Sequence, residues 1–296
     1  MGKIRVLLSQ AFIAMFGAHV KLISDQKYNK ILYRLRTGKK ADLENPKTFN
    51  EHILSRKVHL DEYDLSTFTD KYQVREHVRS VIGEDFLVPC IGVWNSVSDI
   101  PFNSLPSQYV LKATHGSGWN LIVKDEVIDF NSRCLSKLKK AMRCNYYYKS
   151  REKNYFDIKP RIICEQYITT KDPRGIIDFK VFCFYGKPKF FEVSYLKNNK
   201  QYQSLFYTDL NRINTKSNAC SVELDEIILS KSNLLIRNAE KLSSRFDFVR
   251  VDFFISDDKT YFSELTFHSG GGIKPIEPHE IDVKLGTFFN KPGVSI

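Results

Sequence analysis

Two acidic residues near the C-terminal end of the chain, Asp252 and Glu264, are the strongest candidates for chemistry. They lie in neighbouring stretches, residues 248–255 and 260–267, that both have the alternation of a β-strand. A three-residue loop at 257–259 would set Asp252 directly opposite Glu264, whereas a two-residue turn would direct Glu264 to the other side of the sheet. We therefore expect the three-residue loop.

Two carboxylates at opposed strand positions would repel each other unless a cation lay between them, because their Cβ atoms are ~4.5–5.5 Å apart. Mg²⁺ prefers hard oxygen ligands, usually one or two carboxylates together with phosphates. We expect magnesium between Asp252 and Glu264; the alternative is that one carboxylate faces solvent. By strand alternation Arg250 shares the face of Asp252, and Phe262 and Thr266 share the face of Glu264.

A second candidate is a lysine beside a glycine-rich loop. Lys112 lies in the strand-like stretch 109–114, and the loop that follows contains Gly116, Ser117 and Gly118. Backbone N–H groups of such a loop cradle phosphate oxygens, and the lysine ammonium adds a point charge. The loop is neither a Walker A motif nor a dinucleotide-binding fingerprint. A plain hairpin with an exposed lysine is the alternative interpretation.

The elements that position these residues follow from periodicity and capping patterns. Up to about residue 105 the chain is expected to be mostly helical, with one helix capped at Thr48 or Asn50 and another at 69–81. The rest is expected to be a basic helix at 129–149, strands at 161–168, 178–184 and 189–195, and a helix at 224–244. Helices followed by a mixed, largely antiparallel sheet region favour the α+β class.

The net charge of the 296-residue chain is +11, with 45 Lys and Arg against 34 Asp and Glu, which indicates an anionic partner. A nucleotide, an acidic sugar, a membrane surface and a nucleic acid all remain open on charge alone. The six cysteines form neither a zinc pattern nor a disulfide framework, which favours a reducing cytoplasm. The apolar residues 4–16 are too short to span a bilayer and predict a packed or membrane-surface helix.

Taken in order along the chain, these segments resemble the ATP-grasp superfamily, most closely its TupA-like branch, which is linked to teichuronopeptide and surface-polysaccharide assembly. The matching segments extend from about residue 27 to 285: NPKTFNE at 45–51, Asp70-Lys71 with Val74-Arg75, YVLKATHGSGW at 109–119, ICEQYI at 163–168, DFKV at 178–181, and residues 249–272. The resemblance implies an ATP-grasp fold. In it, a helical N-terminal region (1–105) precedes two α+β lobes that clasp ATP, a small lid lobe (106–168) and a large lobe with the metal site (169–296).

The resemblance also implies a nucleotide site in the lid lobe. Lys112 would bind phosphate at the base of this lobe, with Gly116, Ser117 and Gly118 as its flexible loop. The adenine ring would meet a hinge that consists of Glu165, Gln166, Tyr167 and Ile168. The contacts would be made mainly by the backbone groups of Gln166 and Ile168.

In the large lobe, the resemblance gives two residues a catalytic role. Lys180 would face the nucleotide phosphates, although a surface strand lysine is the alternative, and Arg250 would stabilise charge on the transferred phosphoryl group. Asp252 and Glu264 resemble the family's magnesium ligands. The usual third ligand, an asparagine two residues after the glutamate, is Thr266 here, so a hydroxyl or a water would take its place.

The activity implied by the resemblance is ATP-dependent ligation of a carboxylate to an amine through an acyl phosphate. The expected cofactors are ATP and Mg²⁺, and the expected substrates are an amino acid or peptide and a uronic-acid-containing polysaccharide or precursor. We expect a cytoplasmic protein with peripheral contact to the inner membrane surface and no nucleic-acid partner. Two alternatives are a glycosyltransferase, for which Asp257-Asp258 is too ordinary a turn to supply the acidic motif, and a nucleic-acid-binding protein, favoured only by the charge.

Overall fold

The structure, a computed structural model, describes residues 2–17, 22–61, 63–124, 133–257 and 259–291. The helices described are α1 (Gly2–Phe16), α2 (Asp25–Thr37), α3 (Phe49–His59), α4 (Ser66–Thr69), α5 (Val74–Ile82), α6 (Ser136–Ala141), α7 (Tyr147–Ser150), α8 (Glu226–Ser243) and α9 (His279–Gly286). The strands described are β1 (Cys90–Trp94), β2 (Gln108–Ala113), β3 (Asn120–Lys124), β4 (Ile162–Gln166), β5 (Ile177–Phe184), β6 (Lys187–Lys197), β7 (Lys200–Tyr207), β8 (Arg212–Ile213), β9 (Phe248–Ser256) and β10 (Lys259–Thr266).

The four shorter strands β1 to β4 form an antiparallel sheet in the order β1-β4-β2-β3. The expected hairpin around the glycine loop is present as β2 and β3. β1, which lies within the stretch expected to be mostly helical, pairs with β4 at the edge of this sheet. Leu111 and Cys164 are fully buried between the sheet and α6, so the apolar alternation of β2 and β4 attaches the sheet to its own small core.

The remaining strands form a six-stranded antiparallel sheet in the order β10-β9-β5-β6-β7-β8. Alternate residues of β5 and β9, such as Val181 and Phe253, are fully buried on one face, where Leu235 of α8 and Val78 of α5 pack against them. Burying one such side chain contributes about 1.5–3 kcal/mol to folding. This face is therefore committed to the core, and the polar residues of the same strands must lie on the other.

Of two helices expected in the N-terminal part, one begins where it was predicted and the other begins later. α3 begins as predicted, because Thr48 and Glu51 form a reciprocal capping box. The helix expected at 69–81 begins only at Val74, because an Asp70 carboxylate oxygen accepts the backbone N–H groups of the two residues before that position. A short acidic side chain that bonds its own backbone competes with the helix in this way.

The prediction of a single basic helix at 129–149 is wrong for residues 133–149. Residues 129–132 lie outside the described residues. Two short helices, α6 and α7, replace it. Between them Asn145 Oδ1 accepts the backbone N–H of Tyr147 at 3.0 Å, and Asn145 Nδ2 donates to the carbonyl of Phe156 at 2.7 Å. This side chain restarts the helix and connects it to the chain that follows.

Gly272 packs so closely against α3 that we expect its replacement to destabilise the fold. Its φ is +69°, and an added Cβ would lie 2.8 Å from Leu54 Cγ and 3.0 Å from the Asn50 carbonyl oxygen. Gly272→Ala should therefore lower the free energy of unfolding by about 2–5 kcal/mol, through left-handed backbone strain of about 1–2 kcal/mol and overpacking of about 1–3 kcal/mol.

Urea denaturation of Gly272→Ala and Gly175→Ala separates these two contributions. Gly175 has a φ of +79°, and an added Cβ there meets no described atom within 4 Å. Gly175→Ala should show the backbone cost alone, and equal losses in the two variants would contradict the packing explanation.

Candidate functional site

The turn between β9 and β10 differs from the expected one. Ser256 pairs with Lys259, so only two residues remain for the turn, and the predicted three-residue loop is wrong. Asp257 begins this turn with a φ of +49°. A two-residue turn is the usual connection of a tight hairpin, and on its own it would place Ser263 opposite Asp252.

A β-bulge nevertheless brings Asp252 opposite Glu264. The register shifts between Phe262 and Glu264, so Ser263 is an extra residue on β10. Phe262 therefore packs in the core with Phe253, and it does not share the face of Glu264 as strand alternation predicted. Bulges re-aim side chains in this way and are frequent beside active sites. The predicted pairing is thus present, but its cause is a bulge.

Lys180 lies between two acidic strand neighbours on the polar face of the large sheet. It is directly opposite Asp252 on β9 and Glu192 on β6. Its Nζ donates to Glu192 Oε1 at 3.3 Å and to Ser194 Oγ at 3.2 Å. Burial lowers the pKa of Lys180, but the charges of Glu192 and Asp178 outweigh burial and raise it overall. The structure therefore places a charged lysine at this face, beside the candidate metal ligands.

Arg250 binds Asp252 through two parallel hydrogen bonds of 2.7 and 2.6 Å. The same guanidinium donates to Ser269 Oγ at 3.0 Å and to Thr266 Oγ1 at 3.1 Å. Asp252 is only 3% exposed, and burial raises its pKa to about 7 although Arg250 opposes the rise. Arg250 thus holds the position between the carboxylates that a cation would take.

The oxygen atoms around Arg250 fit a magnesium ion in number and chemistry. Thr266 Oγ1 donates to Glu264 Oε1 at 3.0 Å, so the predicted third ligand lies beside the second. Burial raises the pKa of Glu264, but Lys71 and Arg250 outweigh burial and lower it overall. Within the described residues, no three His, Cys, Asp or Glu side chains cluster for a metal. Two carboxylates and a hydroxyl match a cation that takes its other ligands from phosphates.

Glu165, predicted as part of the hinge, has a buried carboxylate that positions Lys112. Its Oε2 accepts from Lys112 Nζ at 2.6 Å, and its Oε1 accepts from Arg75 Nη1 at 3.2 Å. Both partners are at least three-quarters buried. Lys112 therefore extends from β2 in a fixed direction, and Glu165 acts through this lysine.

Lys71, which precedes α5, is a site residue that the sequence did not single out. Its Nζ donates to the carbonyl of Gly116 in the glycine loop at 2.6 Å. Burial is the main influence on its pKa and lowers it; the charge of Glu264 opposes the shift and that of Lys112 adds to it. Lys71 thus joins the loop of the small sheet to the carboxylates of the large one. Its membership of the Asp70-Lys71 segment was the only sequence indication of its importance.

The glycine loop is shaped by an aromatic ring. A Cβ at Gly116 would lie 2.4 Å from two carbons of the Trp119 indole, so only glycine fits beneath it. Gly118 has a φ of +71°, and Ser117 hydrogen-bonds the phenol of Tyr146. The loop is therefore held by Lys71 at Gly116 and by Tyr146 at Ser117.

The predicted hinge lines a cavity of about 350 Å³ between the two sheets. Gln166, Tyr167 and Ile168 line this cavity together with residues that include Pro89 and Tyr261. The backbone N–H of Gln166 donates to the Pro89 carbonyl at 2.9 Å and so is not available to a ligand. The backbone groups of Ile168 remain the stronger candidates for contact with a base.

A larger cavity, of about 900 Å³, opens beside the polar face of the large sheet. Its lining is strongly cationic, with Arg5, Arg36, Lys180, Lys216, Arg250 and Lys274 against Glu192 and Glu277. In the part of the chain that the structure describes, the buried Nε of Arg36 has no hydrogen-bond partner. Arg250 and Lys180 belong to this lining and to the polar face, so a ligand in the cavity would contact the arginine that binds Asp252.

Comparisons with solved structures find similarity to ligases at low sequence identity. A D-alanine–D-alanine ligase from Bacillus anthracis complexed with ATP is 15% identical over 69% of this chain and 55% of that chain, with a TM-score of 0.39. A D-alanine–D-alanine ligase from Helicobacter pylori is 14% identical over 77% and 60%, with a TM-score of 0.42. An L-amino acid ligase from Bacillus licheniformis is 12% identical over 91% and 61%, with a TM-score of 0.45. The chain thus spans less than two thirds of each of these structures.

The sequence itself matches a known family over most of its length. The model of the TupA-like ATP-grasp family matches residues 51–290, which include both sheets, the glycine loop and the carboxylate pair. A comparison with curated proteins gives no match. The predicted superfamily and branch are confirmed, and so is the α+β class, since helices and two antiparallel sheets make up the fold. The chain belongs to the TupA-like ATP-grasp family.

Proposed function

We propose that the protein is an ATP-dependent carboxylate–amine ligase. The observation that carries this proposal is the meeting of two sheets at one charged cleft. The small sheet contributes Lys112 and the glycine loop, and the large sheet contributes Asp252 and Glu264. Lys71 connects them through its hydrogen bond to Gly116. Alternating cations and carboxylates beside a nucleotide-sized cavity are what the binding of a magnesium–triphosphate complex requires.

The proposed nucleotide position follows from these elements. Adenine occupies the 350 Å³ cavity against Tyr167 and Ile168. The phosphates extend from there between Lys112 and Lys180, and the loop around Gly116 covers them. Because Lys112 is held by Glu165 and Lys180 by Glu192, both ammonium groups are oriented before the nucleotide binds.

Magnesium, when bound by Asp252 and Glu264 with Thr266 beside them, would neutralise charge on the phosphates. Arg250, whose guanidinium binds Asp252 through two hydrogen bonds, would stabilise charge on the transferred phosphoryl group.

The chemistry proceeds in two displacements. A substrate carboxylate oxygen attacks the γ-phosphorus of ATP, which releases ADP and forms an acyl phosphate. An amine then attacks the carbonyl carbon, releases inorganic phosphate and loses a proton, which leaves an amide. No nucleophilic side chain is needed, because positioning and charge neutralisation supply the catalysis.

We propose an amino acid or peptide and a uronic-acid-containing surface polysaccharide, or its precursor, as the two substrates. The 900 Å³ cavity is large enough for more than a single amino acid, and its six cationic side chains against two acidic ones suit an acidic ligand. The presence of Arg250 in its lining supports a position of that ligand beside the reacting phosphoryl group. We place the reaction in the cytoplasm, at the inner face of the membrane.

Mg-ATP is expected to stabilise the protein against thermal unfolding. At a nucleotide concentration about 100 times Kd, the free energy of unfolding should rise by about 2.7 kcal/mol, because only the folded chain binds. Thermal shift with Mg-ATP, with ATP plus EDTA and with Mg²⁺ alone measures this effect. Stabilisation should require both components, and equal melting temperatures in all three conditions would exclude the nucleotide site.

The substrates are identified by ADP release across a panel of amino acids paired with uronic-acid sugars. Release should require one member of each class. Release with neutral sugars alone would contradict the proposed acidic substrate while leaving the nucleotide site intact.

A further inference from the structure

The outer side of α1 is apolar where a soluble helix would be polar. Ile4, Leu7, Leu8 and Met15 are 66%, 63%, 52% and 63% exposed. Their spacing of three, four and seven residues places Ile4, Leu7, Leu8 and Met15 along one stripe. A contiguous exposed apolar stripe of this kind marks an interaction surface.

The exposure does not arise from a loosely attached helix. The Phe12 ring of α1 packs 5.1 Å from that of Tyr28 on α2, and Arg151 donates to the carbonyl of Phe16 at 3.1 Å. Ser9, one of the few polar residues of α1, is fully buried. The helix is thus seated with a polar residue inward, and its apolar residues are left on the outside.

The part of the sequence that contains this helix is strongly cationic. Residues 1–40 carry a net charge of +8, which is most of the chain's +11. The nine cations Lys3, Arg5, Lys21, Lys27, Lys30, Arg34, Arg36, Lys39 and Lys40 stand against the single acid Asp25. An apolar helix face in a strongly cationic stretch of the chain is complementary to a bilayer with anionic headgroups, and not to another basic surface.

We propose that the outer face of α1 docks onto the surface of an anionic lipid bilayer. Leu7, Leu8 and Met15 enter the boundary between headgroups and acyl chains, and the surrounding cations bind the headgroups. Spanning is not involved, because none of the helices in the described ranges is long and apolar enough to cross a membrane. A second copy of this chain is a poorer occupant, since two faces of +8 would repel.

Docking would place the large cavity beside the membrane. Arg5 belongs to α1 and also lines the 900 Å³ cavity, so the cavity and the docking face share one helix. An acidic substrate held at the bilayer, for example through a lipid anchor, would then reach the cationic lining without leaving the surface. This last step rests on the proposed ligase function.

Co-sedimentation with vesicles tests the docking surface. The full chain should bind phosphatidylcholine vesicles that contain phosphatidylglycerol at least about tenfold better than phosphatidylcholine alone, and added salt should reduce the difference. The double variant Leu7→Glu with Leu8→Glu should lose at least about tenfold in binding. The matched control is Leu196→Glu, since Leu196 is 60% exposed on β6 and lies outside the face; it should bind like the wild type.

The proposal would be overturned by no binding to anionic vesicles, by equal binding of the double variant, or by a dimer in sedimentation equilibrium that the double variant breaks. The last would show that a second copy covers α1. Mg-ATP stabilisation of the double variant keeps this test separate from the proposed function. Unchanged stabilisation with lost vesicle binding supports docking at α1, whereas loss of both shows a disrupted fold and overturns the assignment to the outer face.

Discussion

Asp252→Asn is expected to lower ATP-dependent ADP release by at least about 10²–10³-fold, because it removes a charge from the centre that balances the phosphates. The substituted asparagine would keep the size of the side chain and the pairing of β9 with β10, so the loss would come from the missing charge. Asp252 is buried between Glu264 on β10 and Lys180 on β5, and a lysine cannot replace the negative charge that the substitution removes. Steady-state ADP release with saturating substrates measures the effect.

A second variant is needed because Asp252→Asn leaves the Arg250 guanidinium buried without its carboxylate, at a cost of about 3–5 kcal/mol. Glu264→Gln changes a half-buried residue that is 3.7 Å from Arg250, and it should remain folded while losing activity similarly. Glu240→Gln, in the exposed pair with Lys187, is the control and should retain full turnover. A folded Asp252→Asn or Glu264→Gln enzyme with wild-type turnover would disprove the metal assignment.

The carboxylate pair shows what the local sequence pattern could predict. The alternation in residues 248–255 and 260–267 predicted the strands β9 and β10, and charge repulsion predicted a cation between the two acids. The bulge was not predictable, since Ser263 is an ordinary strand residue and alternation alone placed Phe262 and Glu264 on one face. The buried contact between Phe262 and the core decided the register, and such a tertiary contact overrides local alternation.

The hinge shows which contacts the local sequence pattern could not predict. The buried strand predicted at 161–168 is present as Ile162–Gln166, and its first four residues are buried. The role of Glu165 depended on Lys112 and Arg75, which are 53 and 90 residues away in the chain. Pairings over such separations leave no periodicity in the sequence, and only the folded arrangement of the small sheet against α5 reveals them.

Lys71→Met is expected to lower kcat/KM for ATP by about 10²-fold. Lys71 faces both the glycine loop and Glu264, so its ammonium stabilises the loop and adds a positive charge where the phosphates would lie. The exposed lysine of the Lys187–Glu240 pair supplies the control, and Lys187→Met should leave kcat/KM unchanged. Wild-type kinetics for Lys71→Met would remove Lys71 from the site.

Lys71→Gln separates the two roles of this lysine. Glutamine retains a donor for the carbonyl of Gly116 but carries no charge. If Lys71 only fixes the loop, the glutamine variant should retain most of the activity that the methionine variant loses. If its charge acts on the phosphates, both variants should be impaired alike, and the loss should be measurable in kcat as well as in KM, because charge on the transferred phosphoryl group is stabilised more in the transition state than in the bound substrate. We expect the second result. A neutral donor could bond the carbonyl of Gly116 with a smaller desolvation cost than a lysine, so a buried lysine beside Glu264 indicates that the charge itself is used.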